Sequence, residues 1–99
     1  MENTKIVLNE NYTGELQLFS NGQKAGLMEI AITGDVLTVY HTEVDEAYNG
    51  RGFAKLLLND LVEYARKQHL KIQPLCAFVH AQFKRHPEQY ADVWYQNDN

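Results

Sequence analysis

The stretch Tyr48-Asn49-Gly50-Arg51-Gly52-Phe53-Ala54 separates two hydrophobic rhythms. Before it, Val36–Val44 (VLTVYHTEV) is rich in β-branched and aromatic residues, as a strand requires. After it, apolar residues fall at Ala54, Leu57, Leu58, Leu61, Val62 and Ala65, the stripe of an amphipathic helix running from about Gly52 to His69. A helix start leaves several amides unpaired at the positive end of the helix dipole. Glycines there admit positive φ and let an oxyanion approach the backbone closely. The turn is therefore a candidate cradle for a phosphate or diphosphate, with Arg51 and Lys55 adding charge. A tight turn with no ligand would account for the same glycines. Neither G-x-x-x-x-G-K-[ST] nor G-x-G-x-x-G is present, since Lys55 stands where the third glycine of the latter would fall.

Working outward, the chain before this turn reads as strands and the chain after it mostly as helices. Leu16, Leu18 and Phe19 follow Gly14, and Lys24–Thr33 (KAGLMEIAIT) carries Met28, Ile30 and Ile32 on one side. Ser20-Asn21-Gly22 and Thr33-Gly34-Asp35 have hairpin-turn chemistry, so three or four antiparallel strands are expected. Beyond the helix, a short strand is expected at Lys71–Ala77, interrupted at Pro74, which has no amide to donate. Phe78–His86 reads as a helix, and Pro87 suits the first turn of a last one reaching Trp94. The order predicts a single α+β domain over residues 1–99 with a mixed sheet. Its helical crossover makes the Val44 and Cys76 strands parallel neighbours, with their C-terminal ends at the mouth of a cleft.

Composition narrows the function classes. Ninety-nine residues build one core, and 44% hydrophobic with 22% charged residues is globular rather than disordered. Nine Lys and Arg against thirteen Asp and Glu argue against nucleic acid as a partner, because such binding rests on phosphate neutralisation. No apolar run approaches the roughly 20 residues of a membrane span, so no membrane partner is expected. The N-terminus is polar and acidic, without a signal-peptide core, and the expected compartment is the cytoplasm. The lone Cys76 suits a reducing compartment. With one Cys and no H-x-x-x-H, no metal site is expected.

The ordered set of segments resembles the GNAT superfamily of N-acetyltransferases, in its compact single-domain branch. In that family a strand ends in a Val-x-Pro-like step and [Gln/Arg]-x-x-Gly-x-[Gly/Ala] opens a long helix. Here Val44-Asp45 and then Asn49-Gly50-Arg51-Gly52-Phe53-Ala54 match, followed by Cys76-Ala77-Phe78-Val79 and His86-Pro87. Gly52 and Ala54 fit; Asn49 replaces the usual Gln or Arg, so that charge must come from Arg51 or Lys55 or be missing. The resemblance implies acetyl-CoA or CoA as cofactor, with its diphosphate on the amides of Asn49–Ala54. It also implies a pantetheine arm bonded to the strand around Glu43 and Val44, and an amine of a small molecule or peptide as acceptor. The helices that usually follow the first strand and shape the acceptor pocket are expected to be absent. A monomer is favoured.

Amine acylation needs a neutral amine, a polarised thioester and a proton for the departing thiolate. The resemblance places Phe83 beside the cofactor, where many members carry a tyrosine acid, and Phe83 has no phenol. Cys76 is the substitute, as thiol acid or as nucleophile in an acyl relay; a small buried hydrophobe is the plainer alternative. His41 and Glu43, two apart on one strand, share a face and can relay a proton, or form an ordinary surface pair. His69, His80 and His86 are weaker candidates, while Tyr90, Trp94 and Tyr95 are expected to pack a terminal helix on the sheet. The competing reading is a CoA-binding module without significant catalysis.

Overall fold

The computed structural model describes residues 1–96. Five strands lie in the order β1-β2-β3-β4-β5: Glu2–Leu8, Thr13–Ser20, Gln23–Thr33, Val36–Val44 and Lys71–Pro74. The first four are antiparallel, and β5 runs parallel to β4 after the helical crossover α1, Phe53–Gln68. Helices α2 (Ala77–Arg85) and α3 (Pro87–Tyr90) follow. The α+β class, the antiparallel N-terminal strands and the parallel crossover are as expected.

Local chemistry explains the turns. Asn21 and Gly22 have φ of 50° and 84°, the double left-handed step that a two-residue hairpin demands. Between β1 and β2, Asn9 Oδ1 accepts from the amides of Asn11 and Thr13 at 2.8 and 3.1 Å, closing the chain around residues 9–12. β1 therefore runs straight into β2 with no helix between them, the departure from the family pattern that the short sequence leads one to expect. β1 is the fourth antiparallel strand; its inward side is only Thr4, Ile6 and Leu8, with Thr4 Oγ1 donating to Asp60 of α1 at 2.7 Å.

Leu57, Leu58, Leu61 and Ala65 of α1 are fully buried against Leu16, Leu18, Met28, Ile30, Leu37, Val39 and Ile72 of the sheet. Each such leucine contributes about 1.5–3 kcal/mol. Val79 and Phe83 of α2 join the same core, so the helices share one face of the sheet. The opposite face is open: Val7 and Tyr40 are 43% and 51% exposed, and Glu29 and His41 are exposed beside them.

Two boundaries and one register differ from the sequence reading. β5 ends at Pro74, so Cys76 lies past the strand as the N-cap of α2. The missing donor at Pro74 ends the ladder instead of interrupting it. The last helix stops at Tyr90, and Trp94 instead forms a parallel bridge to Ile72. The Ile72 amide donates to Val93 O at 2.6 Å and the Tyr95 amide to Ile72 O at 2.8 Å, which occupies the outer edge of β5. Finally, the register of β3 on β4 shifts between Glu29 and Ile30, which leaves Tyr40 as an extra residue in β4.

Candidate functional site

The sheet opens at the level of the Tyr40 bulge. Val39 and Pro74 are the last pair of β4 and β5, and the Val39 carbonyl accepts from both Leu75 (3.1 Å) and Cys76 (2.9 Å) as the chains part. Beyond that point β4 continues through Thr42 to Val44 while the chain after Pro74 turns away into α2. The bulge resets the alternation of β4. Thr42 pairs with buried Met28 and faces the helices, whereas His41 pairs with exposed Glu29 and faces solvent.

Cys76 sits in this fork, 5% exposed, with Sγ 3.2 Å from Thr42 Oγ1. His41 Nε2 and Glu43 Oε2 are 3.7 Å apart, so the pair expected from their spacing is formed. It lies on the open face, with both side chains more than half exposed and separated from Cys76 by the strand itself.

The turn after β4 is built in two steps. Asp45 Oδ1 accepts from the Ala47 amide at 3.0 Å and caps a short 3-10 turn, Glu46–Tyr48. Gly50 and Gly52 then adopt φ of 81° and 75°, a conformation costly to any residue with a Cβ. Gly52 caps α1 in the left-handed region with no side-chain partner for the helix. Among the described residues, no hydrogen bond is made by the amides of Gly50, Arg51, Gly52, Phe53, Ala54 or Lys55. Gly50, Gly52, Phe53 and Ala54 of this run border a small cavity of about 160 Å³ shared with Val44, Tyr48 and Asn49. Orphan amides at a helix start, beside glycines whose missing side chains leave open space, suit an anion. The residues present thus fit the diphosphate of CoA.

Side chains of the expected set divide by burial. Arg51 is exposed over the Tyr48 ring, 5.3 Å from its centroid, and Lys55 Nζ reaches Gln82 Oε1 of α2 at 3.5 Å. The Phe53 ring is buried, leaving only its amide for a ligand. Phe83 is corrected more strongly: its ring is fully buried, stacked on Tyr90 at 4.6 Å and tilted against Trp94 at 5.5 Å. It is a core residue with no surface for a cofactor. The hydroxyl of its neighbour Tyr90 is buried without a hydrogen-bond partner among the described residues. No role is expected from the sequence for the side chains of Thr42 and Tyr48. Thr42 faces the fork only because the bulge shifts the alternation. Tyr48 precedes the motif, and its ring stacks on Phe53 at 5.5 Å.

Three charged groups have shifted acidities. Glu15 is held below the usual carboxylate range by hydrogen bonds from Gln17 and then Lys24. Asp92 is likewise lowered by hydrogen bonds from Arg66, whose guanidinium is raised by the same contact. Neither pair lies at the fork; Arg66 and Lys71 tie the segment after α3 to α1 and β5. No helix of the described residues is long and apolar enough to cross a membrane.

Comparison with known proteins agrees with this architecture. The family model described as GCN5-related N-acetyl-transferase matches residues 15–93. Protein NATD1 of Gallus gallus is 33% identical over 52 residues, covering 52% of this chain and 47% of that protein. The chain thus spans about half the length of the curated relatives it matches. A GCN5-like protein from Staphylococcus aureus superposes with a TM-score of 0.68 at 23% identity, over 98% of this chain and 91% of that one. The PaiA N-acetyltransferase of Thermoplasma acidophilum, solved in complex with coenzyme A, gives 0.58 at 14% identity, over 78% and 50%. At these identities the structures speak for the fold alone, whereas the family match extends from β2 across the fork and the glycine turn to the segment past α3. The chain belongs to the GCN5-related N-acetyltransferase family.

Proposed function

We propose that the protein binds acetyl-CoA and transfers its acetyl group to an amine of a small molecule or peptide in the cytoplasm, as a monomer. One observation carries the reading: the run of unpartnered amides from Gly50 to Lys55 opens beside the fork between β4 and β5. Those amides hold the diphosphate, with the exposed end of β4 around Glu43 and Val44 available to bond the pantetheine arm. The cofactor supplies an activated acetyl thioester.

The remaining work falls to residues on two sides of β4. His41, backed by Glu43, removes a proton from the acceptor amine on the open face. Cys76, held by Thr42 at the fork, stands on the helix side as proton donor to the departing thiolate or as acyl relay. A second reading, CoA binding without significant catalysis, is favoured by Phe83, which has no phenol and no exposed surface.

The test is an NMR titration with acetyl-CoA. Amide shifts are expected at Val44, Gly50–Lys55 and Cys76. Shifts confined to the turn, reproduced by inorganic diphosphate, would reduce the site to a generic anion cradle. No shifts at millimolar acetyl-CoA would defeat the proposal. CoA release from acetyl-CoA no faster than background, with every amine acceptor tried, would leave the binding reading in its place.

A further inference from the structure

The anion-binding turn carries an aromatic support whose purpose the backbone alone does not explain. Tyr48 contacts two partners. One is Phe53, centroid to centroid 5.5 Å with planes at 29°, and Phe53 is anchored in the core. The other is the Arg51 guanidinium, 5.3 Å from the Tyr48 centroid. Among the described residues Arg51 makes no salt bridge and donates no hydrogen bond, although Asp45 and Glu46 are close in sequence. An arginine resting on an aromatic face keeps its in-plane N–H groups free while losing much of its side-chain freedom. Lys55 is drawn toward α2 by Gln82, and Asn49 is uncharged.

We infer that Tyr48 is a positioning residue that holds Arg51 as the cation of the diphosphate site, supplying the charge Asn49 lacks. The contacts run from the core through Phe53 to Tyr48, which borders the cavity of the turn, and then to the Arg51 guanidinium on the Tyr48 ring. The inference rests on the acetyl-CoA reading above. It adds that cofactor affinity depends on a planar cation and an aromatic ring, neither of which belongs to the amide cradle.

The experiment is calorimetric titration of CoA into wild type, Arg51→Gln, Arg51→Lys, Tyr48→Phe, Tyr48→Leu and the Tyr48→Leu/Arg51→Gln double variant. Arg51→Gln should weaken binding about tenfold, the loss expected for one charge-assisted hydrogen-bonding group. Arg51→Lys should fall nearly as far, because an ammonium keeps the charge but loses the planar stack. Tyr48→Phe should bind within about twofold of wild type, since the hydroxyl's contact with Gln23 is long at 3.4 Å. Tyr48→Leu should lose most of what Arg51→Gln loses, and the double variant should be no weaker than Arg51→Gln. Two results would each overturn the assignment: wild-type affinity in Arg51→Lys, or fully additive losses in the double variant. Arg51 is exposed, so its variants fold whatever happens to Tyr48→Leu. A wild-type protein that ignores CoA would instead strike at the acetyl-CoA reading itself.

Discussion

Two glycines with the same backbone strain separate folding from binding. Gly22 in the β2–β3 hairpin and Gly52 at the start of α1 have φ of 84° and 75°, and a Cβ at either would meet nothing within 4 Å. Glutamate at either position therefore costs mainly the left-handed conformation, about 1–2 kcal/mol. For a domain of this size that lowers Tm by roughly 5–15 °C, and by similar amounts in the two variants. Their effects on CoA should diverge. At position 52 the new carboxylate stands among the free amides, and one charge pair at about 4 Å is worth roughly 1–4 kcal/mol between bulk water and a partly shielded surface. Gly52→Glu should thus weaken CoA binding at least about tenfold, whereas Gly22→Glu, in the β2–β3 hairpin, should leave it unchanged. Differential scanning fluorimetry and calorimetric titration on the same samples give both numbers. Equal CoA affinity in the two variants would refute the assignment of the turn, and a large Tm gap would refute the claim that strain alone sets the stability cost.

Other expectations follow from the core and the fork. Phe83→Tyr should lower stability by about 1–3 kcal/mol without raising acetyl transfer, because the new hydroxyl enters a core where the Tyr90 hydroxyl already has no partner among the described residues; a gain in turnover would reopen Phe83 as a catalytic position. Cys76→Ser, which can keep the Thr42 contact, should retain CoA affinity within twofold but lose at least about tenfold in turnover; unchanged turnover, with no acetyl adduct on wild type by mass spectrometry, would remove Cys76 from the mechanism. Arg66→Ala should cost about 1 kcal/mol or less at neutral pH, since the pair is exposed. Because Asp92 titrates lower in the folded chain, this contribution is complete above the ordinary aspartate range and fades as the pH falls below it. The Tm gap between wild type and Arg66→Ala should therefore shrink toward pH 3, and a gap that widened would contradict the sign.

Much of the fold could be read because its periodicities are strong. The leucine stripe of α1 and the glycines before it set the crossover, and Gly52 and His69, the expected limits of the helix, are its two caps. What escaped was whatever depends on a single inserted residue or on the far end of the chain. The extra Tyr40 in β4 reverses which side chains face the helices, so His41 and Thr42 cannot be assigned to faces by simple alternation. Pro74 was read as an interruption inside a strand, yet with no donor to offer it ends the strand and releases Cys76 to cap α2. The terminal Trp94 looked helical by its spacing from Tyr90, but the vacant edge of a four-residue β5 offered its backbone better partners. Phe83 was placed at a cofactor by motif position, a guide to chain order that carries no information on burial.

The four-residue link between β1 and β2 has a further consequence. Since none of the described helices overhangs the side of the sheet bearing Glu29 and His41, a molecule arriving there meets a floor without walls. On the proposed reading, in which the amine acceptor approaches His41 from this side, a bulky acceptor meets no helix of the described residues, and discrimination falls to the groups standing on that floor.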